Sequence, residues 1–298
     1  MKVKSILKAV CSSTLAVATI SMLSLPAFAS TTKTSSQPYV ESDTTVNFTL
    51  DQNKTYSYKM TVHGTHANPQ IAAGNGNILR TESVTHTTAN GNDVYYFKVR
   101  AIGKQGDATG VYTTLPNQNP VRHSDIAIPY RPDEGGVAEY QVGKDIQEGQ
   151  YCLSSENKDT VGAYSIKSDA SQLSVANCID AHEFYGRNYA TVKNGQYLTL
   201  INGATMIPAK DAGRILPQNG VYPEGEYKVG FDIPAGTYDL TKFNNSKYDY
   251  GFYFTRYNDN KLGISNVRSA NRFHASMKTT VKNGDYLLIE FATMTSDS

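Results

Sequence analysis

Two cysteines, Cys152 and Cys178, remain once an N-terminal stretch containing Cys11 is set aside. Paired cysteines within one small unit of an exported chain favour a disulfide. A loop of this length would contribute roughly 3 kcal/mol in the chain-entropy model. The competing reading is two unlinked thiols acting as small apolar side chains. A nucleophilic thiol has little behind it. His182 follows Cys178 by four residues, with no matching signal around either.

Other catalytic constellations are missing. The six histidines are scattered. His63-x-x-His66 lacks a nearby third ligand, so it does not read as a zinc site. No Gly-x-Ser-x-Gly nucleophile elbow occurs, so hydrolase chemistry of that type has no carrier. Asp145 and Asp232 recur at matched places in a repeated motif. They read either as a shared ligand pair or as turn residues whose carboxylates bind backbone N–H groups. The sequence thus offers no catalytic residue, no metal-ligand set and no cofactor site.

Tyrosine is the residue type left with something to do. There are 21 tyrosines and no tryptophan. Gly251-Phe-Tyr-Phe-Thr-Arg-Tyr257 aligns with Ala163-Tyr-Ser-Ile-Lys-Ser-Asp169, matching Phe252 and Phe254 to Tyr164 and Ile166. That alignment makes the Phe positions the buried face. It puts Tyr253 and Tyr257 outside, with Tyr248 and Tyr250 in the adjoining loop. Exposed tyrosines offer flat apolar area with a hydrogen-bonding tip, suited to sugars or protein surfaces. Alternatively, the rings cover a neighbouring domain or pack on each other across strands.

The elements that would position these residues follow from a repeat. Tyr140-Gln-Val-Gly-Lys-Asp-Ile-Gln-Glu-Gly-Gln-Tyr-Cys-Leu153 returns as Tyr227-Lys-Val-Gly-Phe-Asp-Ile-Pro-Ala-Gly-Thr-Tyr-Asp-Leu240. Thr191-Val-Lys-Asn-Gly-Gln-Tyr-Leu198 returns as Thr280-Val-Lys-Asn-Gly-Asp-Tyr-Leu287. A duplication of this kind sets the architecture. The Ile-Pro-Ala-Gly and Asn-Gly stretches predict hairpin turns. Upstream, Tyr56, Tyr58, Met60 and Val62 alternate with polar residues, as do Tyr95, Phe97, Val99 and Ala101, the period of half-buried strands. The expected fold is all-β: an N-terminal Ig-like sandwich over 43–128, then two tandem homologous small β-domains over 136–212 and 221–298.

The stretch from Phe48 through Gly91-Asn-Asp-Val-Tyr-Tyr-Phe-Lys-Val99 to Gly110-Val-Tyr112 resembles small Ig-like domains of secreted Gram-positive bacterial proteins. The paired Tyr-x-Val-Gly-x-Asp-Ile-(Pro)-x-Gly-x-Tyr-x-Leu motif resembles a small repeat of extracellular and lipid-anchored proteins of the same bacteria. Copy one departs from it, having Gln147 where copy two has Pro234. The first resemblance implies a sandwich that serves as spacer or binder; the second implies an extracellular setting and no particular activity.

Residues 1–29 read as a secretory signal: Lys2, Lys4 and Lys8, then an apolar run, then Ala27-Phe28-Ala29 as cleavage site. Residues 30–42 read as a Ser/Thr-rich leader. Without the three signal lysines the chain has 25 basic and 27 acidic side chains. A formal charge of −2 offers no basic field for nucleic acid. No later stretch is apolar enough to span a membrane. The expected function is a secreted, surface-associated, non-catalytic binding protein for extracellular or cell-envelope glycan or a protein surface. A structural spacer is the alternative, and an extracellular hydrolase a remoter one.

Overall fold

The computed structural model describes residues 37–298 except 133–135, 157–159, 245–247, 258–265 and 298. The expected signal and residues 30–36 of its leader fall outside these residues; the rest of the expected leader is ordered, with Tyr39–Ser42 forming the first strand.

The first sandwich has eight strands: β1 (Tyr39–Ser42), β2 (Phe48–Thr49), β3 (Thr55–His63), β4 (Gln70–Ala73), β5 (Leu79–Ala89), β6 (Asn92–Ala101), β7 (Ala108–Thr114) and β8 (Val121–Ala127). They form two sheets, β1-β3-β6-β5 and β2-β8-β7-β4. Lettered in chain order as A, A′, B, C, D, E, F and G, these are A-B-E-D and A′-G-F-C, the strand order of an Ig-type sandwich. The A′ strand runs parallel to G. Tyr58, Met60, Phe97, Val99, Val111 and Ile126 fill the space between the sheets and are fully buried. In place of a disulfide and tryptophan, Tyr58 OH meets Ser124 Oγ at 2.7 Å across the core.

Strand β5 carried no readable signal. It is exposed at every position after Leu79, so it has no apolar alternation. It holds to β6 through an Asn90-Gly91 turn with φ of 51° and 77°, the two positive values of a type I′ hairpin. Arg100 donates to Glu82 at 2.8 Å, and His86 Nε2 lies 2.7 Å from Asp93.

The first repeat contains β9 (Val137–Gln141), β10 (Gly149–Ser154), β11 (Gly162–Lys167), β12 (Cys178–Phe184), β13 (Arg187–Val192), β14 (Tyr197–Ile201) and β15 (Thr205–Pro208). The second contains β16 (Val221–Tyr222), β17 (Gly225–Lys228), β18 (Gly236–Lys242), β19 (Gly251–Arg256), β20 (Val267–Phe273), β21 (Ser276–Val281), β22 (Tyr286–Glu290) and β23 (Ala292–Ser296). The sheets β12-β11-β14-β9 and β13-β10-β15 correspond to β20-β19-β22-β17 and β21-β18-β23. Val142 and Val229, Ile146 and Ile233, Tyr151 and Tyr238, and Leu153 and Leu240 are buried in matching cores.

The correspondence reaches further back than the motif. Tyr130 exchanges backbone hydrogen bonds with Met206 at 2.8 and 2.9 Å, as Tyr222 of β16 pairs with Met294. Each ring then packs on the two motif tyrosines, Tyr140 and Tyr151 or Tyr227 and Tyr238. Copy one's sheet therefore takes in Tyr130, ahead of its first strand β9.

The motif turns differ from expectation. Strand β9 pairs with β14, whereas β10 pairs with β13 and β15. Val-Gly-x-Asp-Ile is thus an arch from one sheet to the other and not a hairpin. Its halves are tied by the Gly143 N–H to the Ile146 carbonyl and the Gly230 N–H to the Ile233 carbonyl, both 2.7 Å. The Asn-Gly turns at 194–195 and 283–284 also cross between sheets. There only the glycine has positive φ, which a type I′ hairpin does not allow.

Pro38–Ser298 make one compact unit, and the sandwiches touch through named side chains. Ala127, Cys152, Tyr189, Ile207, Ala212 and Tyr286 form one shared buried cluster. Gly213, just beyond copy one, is pressed on the first sandwich: a methyl group there would lie 1.9 Å from the Asn47 carbonyl oxygen.

Candidate functional site

The two cysteines are free thiols. Cys152 is buried on β10 among the side chains shared between sandwiches, and burial pushes its thiol up to about 11. Cys178 is exposed at the start of β12, in the opposite sheet. The expected disulfide is corrected accordingly: the copy-one cysteines belong to different sheets, and Cys152 is turned toward copy two. The histidines also separate, His63 to Glu41 and His66 to Asp93, both at 2.8 Å. Among the described residues no group of three or more His, Cys, Asp or Glu could hold a metal ion.

Asp145 accepts the Gln141 N–H at 2.9 Å and Asp232 accepts the Lys228 N–H at 2.8 Å. Both therefore brace the motif arch. Asp232 does more. Arg187 Nη1 of copy one donates to it at 2.6 Å and Tyr189 OH at 2.7 Å. Beside it, Glu226 accepts the Tyr189 N–H at 2.9 Å and pairs with buried Arg256. Burial holds the Glu226 carboxyl above the usual carboxylate range, with Arg256 opposing. Strand β13, an edge of copy one, thus meets strand β17, an edge of copy two, and side chains satisfy the edge. Backbones come close enough there to need glycine. Gly186 has φ of 64° and an added methyl would lie 2.7 Å from the Glu224 carbonyl oxygen; at Gly225 it would lie 3.1 Å from Arg187 N.

The four tyrosines expected at the surface divide. Tyr253 is 5 % exposed and belongs to the core of copy two, its hydroxyl 2.7 Å from Ser269 Oγ. The outward placement was a one-residue slip. Gly162 faces Phe184 and Gly251 faces Phe273 in the same register, and each Phe ring sits on its glycine. Tyr253 is therefore the counterpart of Tyr164, and shifting a strand by one residue exchanges its faces. Phe252 and Phe254 stand on the opposite face and are half-buried. Arg256 follows on that face and reaches Glu226 at the joint with copy one.

Tyr257 remains exposed, with the Arg268 guanidinium 4.1 Å from its ring centre. Tyr248 and Tyr250 are half-buried and gather with a residue the sequence reading missed. Phe291 lies 4.4 Å from Tyr248 and 6.0 Å from Tyr250, centre to centre. Tyr185 of copy one closes on Phe291 at 6.2 Å. The Arg272 guanidinium stacks over Tyr250 at 4.7 Å. The result is an aromatic platform at the junction of the two copies.

Phe291 has φ of 57°, a left-handed conformation that costs a non-glycine residue about 1–3 kcal/mol. Its counterpart after the matching strand is Asn202, φ 56°, a residue type that tolerates this region. The strained backbone is pinned on both sides: Phe291 N–H donates to Glu224 and its carbonyl accepts the Phe243 N–H, each at 3.0 Å.

No family model matches the chain, and none of the curated proteins does. Several solved structures are similar. InvD of Yersinia pseudotuberculosis is 11% identical, with 88% of this chain and 85% of that chain covered and a TM-score of 0.25. The IG1+IG2 tandem of DIP-gamma is 9% identical over 57% and 95%, TM-score 0.23. The SGBP-B protein of Bacteroides ovatus, solved with a mixed-linkage heptasaccharide, is 8% identical over 83% and 71%, TM-score 0.17. Likeness at this level carries no functional inference. The Ig-like assignment rests on the strand order of the first sandwich.

Proposed function

We propose that the chain is a secreted, non-catalytic binding protein whose ligand is an extracellular or cell-envelope glycan that stacks on the platform of Tyr185, Tyr248, Tyr250 and Phe291. The observation that carries the reading is Phe291. Copy one holds an asparagine where copy two bears a phenylalanine in a conformation unfavourable to it. Backbone strain retained at one copy alone points to use of the ring. Aromatic rings with hydroxyl tips give a sugar both a flat apolar face and hydrogen bonds. Export rests on the signal-like N-terminus, and N-terminal sequencing of the external protein should begin at Ser30.

The decisive variant is Phe291→Asn, which imports copy one's own residue. It relieves the backbone while deleting the ring. Retention of protein starting at Ser30 on purified bacterial cell walls should fall about tenfold in this variant, as truncating a hot-spot aromatic does, and Tm should hold or rise. Unchanged retention, or a lowered Tm, would assign Phe291 to packing between the copies and remove the platform as a site.

A further inference from the structure

We infer that the platform recognises a carboxylate-bearing saccharide, with Arg272 as the group that selects the charge; this rests on the glycan reading above. The starting point is how cations are used across the molecule. Arg100 binds Glu82, Arg122 binds Asp125, Arg131 binds Asp51, Arg187 binds Asp232, Arg256 binds Glu226 and Arg268 binds Asp285. Arg214, which lies over the Phe231 ring, breaks this habit, and so does Arg272 at the platform. Arg272 is exposed, and among the described residues no carboxylate lies within ion-pair distance of it. Its guanidinium lies over the face of Tyr250.

The neighbouring charges do not supply what it lacks. Glu290, across from the adjacent Phe252, lies 3.5 Å from His182. Asp249 lies between Lys242 at 3.7 Å and His274 at 3.9 Å. Glu224 takes the Phe291 N–H. Arg268, on the same strand, provides the contrast. It too stacks on a tyrosine, yet Asp285 accepts from it at 2.9 Å. The ring of Tyr250 takes no hydrogen bond from the guanidinium edge, and a planar carboxylate fits such a fork of donors in bidentate fashion. A saccharide lying across Tyr248, Tyr250 and Phe291 would bring such a group to it from an acidic sugar unit.

Polygalacturonate and its fully methyl-esterified form test this, because they share a backbone and differ in charge. Poly-glutamate serves as the acidic-peptide control, and binding is measured on full-length mature protein at low and high salt. The expected result is polygalacturonate binding at least tenfold tighter than the ester, with that margin lost at high salt. Arg272→Gln should bring the two polymers to equal affinity, a loss of about tenfold or more for a charge-assisted bond. Arg272→Lys should keep the salt dependence and part of the margin, since it keeps the charge without the fork. Tyr248→Ala with Tyr250→Ala should weaken both polymers together.

Equal binding of both polymers, unchanged by Arg272→Gln, would overturn the charge selection and leave the platform standing. Loss of neither polymer in the double tyrosine variant, or no saccharide binding at all, would overturn the platform with it. Binding of poly-glutamate in place of both polymers would make the partner an acidic protein and end the saccharide inference.

Discussion

The two repeats share strand order and core, yet they treat the same positions differently. The Glu139–Lys167 pair of copy one recurs as Glu226–Arg256 in copy two. In the first the glutamate side chain is 40% exposed; in the second both groups are covered. Asp145 is an exposed brace, whereas Asp232 is a brace and an anchor for Arg187 and Tyr189 of copy one. A face that is a surface in one copy is an interface in the other. The conserved-looking motif therefore encodes the arch, and divergence around it encodes the docking. The residues of the joint are not repeated at the matched positions of the other copy. The counterparts of Gly186 and Gly225 are Ala275 and Ala138, and at the place of Tyr189 stands Lys278, already paired with Asp239 and Asp297.

The largest test of this contrast is Asp232→Ala against Asp145→Ala. Removing Asp232 strands a covered arginine, at a cost of about 3–5 kcal/mol. Asp145→Ala removes one backbone bond and should cost about 0.5–1.5 kcal/mol. Denaturant unfolding of both variants measures the difference, and equal losses would break the claim that only copy two's aspartate anchors the joint. Gly225→Ala comes next, at about 1–3 kcal/mol for forcing a methyl group against the β13 backbone. Its signature is easier cleavage between the copies in limited proteolysis.

A smaller effect, of opposite sign, belongs to Asp180. Its carboxyl is held above the usual range by burial and takes the Tyr164 hydroxyl at 2.9 Å. Copy two meets the same need with Ser269. A carboxyl whose folded pKa is raised binds its proton more tightly in the folded state. Its favourable contribution is complete below about pH 4, the unfolded value, and is lost as pH rises through the folded one. Asp180→Ser should flatten that limb of the stability–pH curve and add about 1 kcal/mol at pH 7. A steeper limb would show the charge to be favourable. The mildest test is thiol labelling: Cys178 should react at once, and Cys152 only on unfolding. Two inert thiols in non-reduced native protein that appear only after reduction would restore the disulfide.

The all-β class and the duplication were legible because strand period and repetition are local signals. Three things were not. Strand β5 is wet on both faces, so nothing alternates along it. The arches resembled hairpins because both arms carry inward-facing tyrosines, which serve equally well in two sheets sharing one core. On β19, Phe252 and Phe254 counterfeited a core face because their own face runs on to the joint with copy one. Aligning on Gly162 and Gly251, each lying under a Phe ring, would have placed Tyr253 inside. Phe291 was invisible, since nothing in its type announces a left-handed backbone, although the Asn202 counterpart was there to be compared.

The contact between Gly213 and Asn47 has a consequence in time. It joins the start of the first sandwich to the chain leaving the second, so it forms only after every intervening residue has been synthesised. During synthesis the Ig-like sandwich can close as soon as it emerges. Its contact surface then waits, uncovered, for copy one to be completed behind it. Long loop closures of this kind slow folding. A refolding experiment should accordingly resolve an early phase within the sandwiches and a later one that a bulkier residue at 213 delays.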